Sequence, residues 1–87
     1  MKLPAELTHA QASACLQTLV DSLRADQQAG VVDASQLVQF DSSALAVLLA
    51  LRRECAALGR RFVVQGLPAR LQELASLYGV AQLFPAT

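Results

Sequence analysis

The sequence predicts an α/β domain in which three to four short strands form a sheet and the helices pack mainly on one face. Helical apolar patterns alternate along the chain with short β-branched runs. Strands that are separated by helices pair in parallel through right-handed crossovers. At 87 residues the chain is long enough for one core, so residues 1–87 are interpreted as a single domain.

The composition is rich in apolar residues and poor in charged ones. Hydrophobic residues make up 54% of the chain, so part of this apolar surface is expected to face a partner. The formal net charge of +0 argues against a nucleic-acid partner. The longest apolar run, residues 44–51, is too short to span a membrane. The N-terminal residues lack the apolar segment of a signal peptide, and Cys15 and Cys55 do not have the spacing of a metal site or a redox motif. We therefore expect a cytoplasmic protein.

The first third of the chain predicts a strand followed by a helix. Residues 2–7 are interpreted as a short strand, and Pro4 restricts it to an edge or a bulge. Thr8 and Gln11 have the T-x-x-Q spacing of a capping box. Apolar residues then recur at helical spacing, which predicts a helix to about Asp26.

The middle of the chain predicts a buried strand at residues 31–34 and a loop at residues 35–41. The apolar loop residues Leu37, Val38 and Phe40 are expected to fold onto the core.

The most apolar helix is predicted from Ser42 or Ser43 to about Leu58, with Asp41 or Ser42 as its N-cap. Its apolar arc is wider than one sheet face can cover. Either the loops cover the surplus, or Val47, Leu51 and Leu58 belong to an interaction surface.

The last third of the chain predicts a strand at residues 61–65 and a helix that begins near Pro68. Gly59 and Gly79 are placed to end the second and third helices, and Val80 can complete a Schellman-type cap. The apolar tail at residues 81–85 is expected to pack back on the body.

Catalytic and metal-binding motifs are not recognisable in the sequence. His9 has no partner at ligand spacing, and neither a phosphate-binding glycine loop nor a nucleophile elbow occurs. Asp33 and Asp41 could share a cleft as an acid/base pair or a Mg²⁺ site, or they could be a strand-end residue and a helix cap. We therefore predict a binding module that is not an enzyme and holds neither a cofactor nor a metal.

Three segments resemble the STAS domain family of anti-sigma-factor antagonists and sulfate-transporter tails. V-V-D-A-S at residues 31–35 resembles the family's V-D-L-S strand, and F-D-S-S-A-L-A-V-L at residues 40–48 is similar to its D-S-S/T-G-L-x-x-L motif. G-V-A-Q-L-F at residues 79–84 resembles its G-L-x-x-L-F ending. The resemblance implies a STAS-like mixed sheet with helices mainly on one face.

Within this family, L-P-A-R-L-Q-E-L-A-S-L-Y-G-V at residues 67–80 resembles the MlaB-type subunits of the Mla phospholipid ABC transporter. This resemblance implies a non-catalytic adaptor that binds the transporter's ATPase subunit, which is MlaF-like, and associates with the inner membrane through it. We predict that the partner-binding residues are Asp41, Ser42, Ser43, Val47, Leu51, Leu67 and Arg70. The sequence leaves open whether the domain also forms a homodimer.

The alternative branch contains anti-sigma-factor antagonists, in which a partner anti-sigma kinase phosphorylates the serine that corresponds to Ser42. A phosphate adds roughly −1.5 to −2 charges, which a helix N-terminus favours. Two positions depart from this branch. Ala44 stands where its motif has Gly, and A-E-L-T at residues 5–8 replaces its G-E-L-D.

Overall fold

The computed structural model describes residues 1–25 and 30–84, in which the elements follow the predicted order except that a short additional strand, at residues 39–40, lies within the predicted loop at residues 35–41. The predicted helix end at Asp26 and tail end at Pro85 lie outside the described residues. The elements are β1 (Glu6–Leu7), α1 (His9–Ala25), β2 (Gly30–Asp33), β3 (Gln39–Phe40), α2 (Ser42–Ala57), β4 (Phe62–Gln65), α3 (Ala69–Leu77) and a final 3-10 turn (Ala81–Leu83).

All strand pairs among the described residues are parallel, as the alternation of strands and helices predicts. β1 pairs with β3, and β2 pairs with β4. Lys2 forms a parallel bridge with Asp33, so the N-terminal segment lies between β3 and β2. The predicted first strand is thus divided near Pro4, which lacks an N–H donor: its first part pairs with β2 and its second with β3. The α/β fold class is confirmed, although the resemblance implied a mixed sheet.

The helices pack on one face of the β2–β4 pair. Val32 and Val64 belong to the core cluster, whereas Val31, on the other face of β2, is 37% exposed. β2 approaches α2 so closely that a Cβ atom on Gly30 would collide with the Sγ atom of Cys55. Glycine is therefore required where β2 begins.

The core forms mainly between α1 and α2. α1 contributes Leu19, Val20 and Leu23, while α2 contributes six buried residues. This packing also buries apolar residues of α2 that the sequence analysis left unassigned: Val47 is 2% exposed and Leu51 is 0% exposed. Both side chains therefore lie inside the core of the free domain and are not exposed to a partner.

The loop before β3 follows the alternation of an extended chain. Leu37 is 4% exposed, whereas Val38 is 77% exposed. The prediction that Val38 folds onto the core is therefore wrong, because its backbone N–H bonds to the carbonyl of Ala5 and its side chain faces outward.

The helix ends confirm the caps that the sequence predicts. After α3, the N–H groups of Gly79 and Val80 donate to the carbonyls of Ser76 and Ala75, which is the Schellman pattern. Gly59 and Arg60 make the same pair of bonds after α2. Phe84 is buried against the core, so the tail packs back as far as the described residues reach.

Candidate functional site

Asp41 joins the N-termini of α1 and α2. Its Oδ1 atom accepts the backbone N–H of Ser43 at 2.8 Å, and its Oδ2 atom accepts the backbone N–H of His9 at 3.2 Å. Each bond satisfies a donor that a helix start leaves without a partner. The positive ends of two helix dipoles therefore meet at one carboxylate.

The charge of Asp41 is stabilised by these donors. The hydrogen bond from the Ser43 backbone, followed by the bond from His9, lowers the pKa of Asp41, although partial desolvation opposes the shift. Of the two N-caps that the sequence allows, Asp41 and Ser42, the structure has Asp41. The second contact, to α1, is a finding of the structure.

Replacing Asp41 with asparagine is expected to make stability less sensitive to acid. The pKa of Asp41 is lower in the folded chain, so its contribution is present above the unfolded pKa of about 3.9 and is lost as pH falls through the folded value. Urea unfolding between pH 7 and pH 2.5 should show the wild type as more stable at neutral pH, with a difference that shrinks in acid. Asparagine keeps an oxygen acceptor, so a pH-independent difference would contradict a role for the charge.

Ser42 and Ser43 occupy the first turn of α2. Ser42 is exposed and Ser43 is half-buried. The Ser42 side chain makes no hydrogen bond to the described part of the chain, so it is accessible to a partner.

An accessible stripe of α2 starts at Ser42. Ala46 and Arg53 are exposed, and Leu49 and Ala50 are half-buried. These positions follow Ser42 at i+4, i+7, i+8 and i+11, which places them on one face of the helix. We call Ser42, Ala46, Leu49, Ala50 and Arg53 the α2 stripe. Sequence reasoning missed its apolar members, since the larger Val47 and Leu51 dominate the hydrophobic pattern.

The other two predicted partner-binding residues lie around the start of α3. Arg70 is exposed, and Leu67 is half-buried in the wall of a cavity of about 270 Å³. The strand order places β3 and β4 at opposite edges of the sheet, separated by three interstrand spacings of about 4.8 Å each. Ser42, which follows β3, and Leu67, which follows β4, therefore lie near opposite edges of the sheet, roughly 14 Å apart.

Asp33 and Asp41 have separate local partners. Asp33 accepts the backbone N–H of Ser35 at 2.9 Å, and hydrogen bonds from Ser35 lower the pKa of Asp33. Asp33 aligns with Lys2, whereas Phe40, next to Asp41, aligns with Leu7. The turn and cap roles account for both carboxylates, and no group of three metal-ligating side chains occurs within residues 1–25 and 30–84.

The comparisons agree with this architecture. A solved structure described as "The Structure of an Anti-sigma-factor antagonist (STAS) domain protein from Planctomyces limnophilus" matches with a TM-score of 0.81 at 14% identity. The match covers 98% of this chain and 77% of that chain, which shows the STAS fold. Proteins of this class are protein-interaction adaptors and are generally non-catalytic.

The family can be stated more narrowly. The family described as "Mlab, STAS domain" matches residues 1–85, and the chain belongs to it. The resemblance seen in the sequence is thereby confirmed. No curated protein matches the sequence. None of the helices in the described part of the chain is long and apolar enough to cross a membrane.

Proposed function

We propose that residues 1–87 act as one non-catalytic adaptor domain that binds the ATPase subunit of an Mla-type phospholipid ABC transporter. The match of residues 1–85 to the Mlab STAS family carries this proposal. The domain would act at the cytoplasmic side of the inner membrane, held there by its partner. It would support assembly or activity of the ATPase without performing chemistry itself.

The proposed docking surface consists of the α2 stripe together with Ser43 and the start of α3 at Leu67 and Arg70. Small side chains at Ala46 and Ala50 let a partner approach the helix closely, and half-buried Leu49 offers apolar contact. A standard interface covers about 800 Å² on each partner, which is wide enough to span the roughly 14 Å between Ser42 and Leu67.

Replacing Ser42 with arginine is expected to abolish binding of the ATPase. Arginine would place an unpaired charge within the interface, which costs about 2–5 kcal/mol and weakens affinity at least roughly 30-fold. The chain itself should stay folded, because Ser42 is exposed and a cation at a helix N-terminus costs only about 0.3–1 kcal/mol. Calorimetry with the purified ATPase, after a pull-down has identified it, would measure the change.

The matched control is Ser22→Arg. Ser22 is an exposed serine of α1, and it lies thirteen residues after His9, about 20 Å along the helix from the Asp41 contact. This variant should bind like the wild type. ATPase binding that survives Ser42→Arg, or that is lost equally in both folded variants, would contradict the proposed surface.

The second candidate is an anti-sigma-factor antagonist that is switched by phosphorylation at Ser42. The solved structure at TM-score 0.81 is described as an anti-sigma-factor antagonist (STAS) domain protein, and Ser42 of this chain presents an exposed hydroxyl at a helix N-terminus. This function predicts phosphoserine at residue 42 after incubation with an anti-sigma kinase, detected by mass spectrometry and absent from Ser42→Ala. Capture of such a kinase in place of an ATPase would favour this candidate.

A further inference from the structure

A second concave site lies towards the other end of α2. A pocket of about 270 Å³ is enclosed by the last turns of α2, the start of β4 and the final 3-10 turn. Arg52, in its wall, follows Ser42 by ten residues, which is about 15 Å along the helix axis. The pocket is therefore separate from the α2 N-terminus. Its lining residues are Arg52, Ala56, Arg60, Phe62, Gln82 and Leu83.

The pocket is positively charged. Two guanidinium groups from different segments line it, and none of the lining residues within 1–25 and 30–84 is acidic. Four of the seven Lys and Arg residues of the chain fall within residues 52–61. The acid among them, Glu54, is paired with Arg24 at 3.3 Å. The positive charge of the Arg52 guanidinium at the pocket therefore favours an anionic ligand.

The polar side chains of the pocket are held by contacts to the backbone. The Arg60 guanidinium donates to the carbonyl of Leu23, which fixes its place between α1 and α2. The Gln82 amide donates to the carbonyl of Gly79 at 3.2 Å, which leaves its second N–H to point elsewhere. Because these side chains are already held in place, less conformational entropy is lost when a ligand binds.

We propose that this pocket binds the phosphate group of a small phosphate ester. The planar guanidinium forks of Arg52 and Arg60 match phosphate oxygens, and the Gln82 amide supplies a further donor. Phe62 and Leu83 form apolar walls for the carbon part of the ester. The volume lies just below the roughly 300–1,000 Å³ of pockets for drug-sized ligands, which favours a small ester. The proposal is independent of docking at Ser42.

The test is a titration of the full chain with sn-glycerol 3-phosphate, followed by ¹H–¹⁵N NMR at constant ionic strength. Saturable shifts are expected at Ala56, Gln82 and Leu83. Arg52→Gln should weaken binding by roughly tenfold or more, because a charge-assisted, bidentate contact is lost. Arg61→Gln is the matched control: it removes the same charge from an exposed position of the same basic segment, which neither lines the pocket nor belongs to the proposed docking surface.

The outcomes distinguish a specific binding site from non-specific electrostatic attraction. Equal weakening by Arg52→Gln and Arg61→Gln, or shifts that never saturate, would overturn the proposal. A parallel sedimentation assay with phosphatidylglycerol and phosphatidylcholine vesicles distinguishes the source of the phosphate. Binding to phosphatidylglycerol that depends on Arg52 would assign a lipid headgroup, whereas saturable glycerol phosphate binding without vesicle binding would assign a free ester.

Discussion

Replacing Leu51 with alanine is expected to lower the free energy of unfolding by about 2–5 kcal/mol. Leu51 is 0% exposed and belongs to the core cluster between α1 and α2. The smaller side chain would lose apolar burial and leave a cavity that close-packed neighbours fill only in part. For a domain of this size, such a loss would remove much of a total stability of roughly 5–15 kcal/mol. Urea denaturation monitored by circular dichroism would measure it.

Leu58→Ala is the matched control on the same helix. Leu58 caps α2 seven residues later and is 42% exposed, so the same truncation should cost less than about 1 kcal/mol. The pair of variants decides between the two interpretations of the wide apolar arc. A small effect at both positions would place Leu51 near the surface and return it to the set of candidate partner-binding residues.

Local signals in the sequence were sufficient to predict the three helices, the start of α1 and the ends of α2 and α3. The Gln11 side chain accepts the Thr8 N–H at 2.8 Å, as the T-x-x-Q spacing predicts. Gly79 has a φ of +72°, which explains why α3 ends there. Each of these features depends on residues within one or two turns, so periodicity and capping chemistry determine them.

Features that depend on distant segments could not be predicted in the same way. Hydrophobicity alone does not say whether Val47 and Leu51 or Ala46 and Leu49 face outward, because the choice depends on how α1 packs along α2. The divided N-terminal strand likewise depends on which of two strands each half meets.

In the candidate site, too, contacts between residues close in sequence could be predicted, whereas contacts between distant residues could not. The N-cap role of Asp41 follows from its place two residues before Ser43, to which it bonds. Its bond to His9 joins residues that are 32 positions apart, and no spacing rule predicts it. The exposure of Val38 was predictable from strand alternation with Leu37, which the sequence interpretation as an irregular loop overlooked.

Replacing Gly66 with alanine is expected to lower the free energy of unfolding by about 2–4 kcal/mol. Gly66 has a φ of +68°, where a side chain costs roughly 1–2 kcal/mol. An added Cβ would also lie 2.9 Å from the Cβ of Ser35 and 3.2 Å from its backbone N. The turn after β4 packs directly on the turn after β2, so neither can move away without disturbing a strand end. Thermal and urea unfolding would both report the loss.

Gly59→Ala separates the two contributions to this cost. Gly59 has the same φ of +68°, but an added Cβ meets nothing within 4 Å. This variant should show the conformational cost alone, and Ser35→Gly should recover part of the loss in Gly66→Ala by removing one of the clashing atoms. Equal costs at Gly59 and Gly66 would mean that the two turns are not in contact. Because the turn at Gly66 leads into Leu67 and Arg70, the same packing fixes where α3 starts and where its part of the proposed docking surface lies.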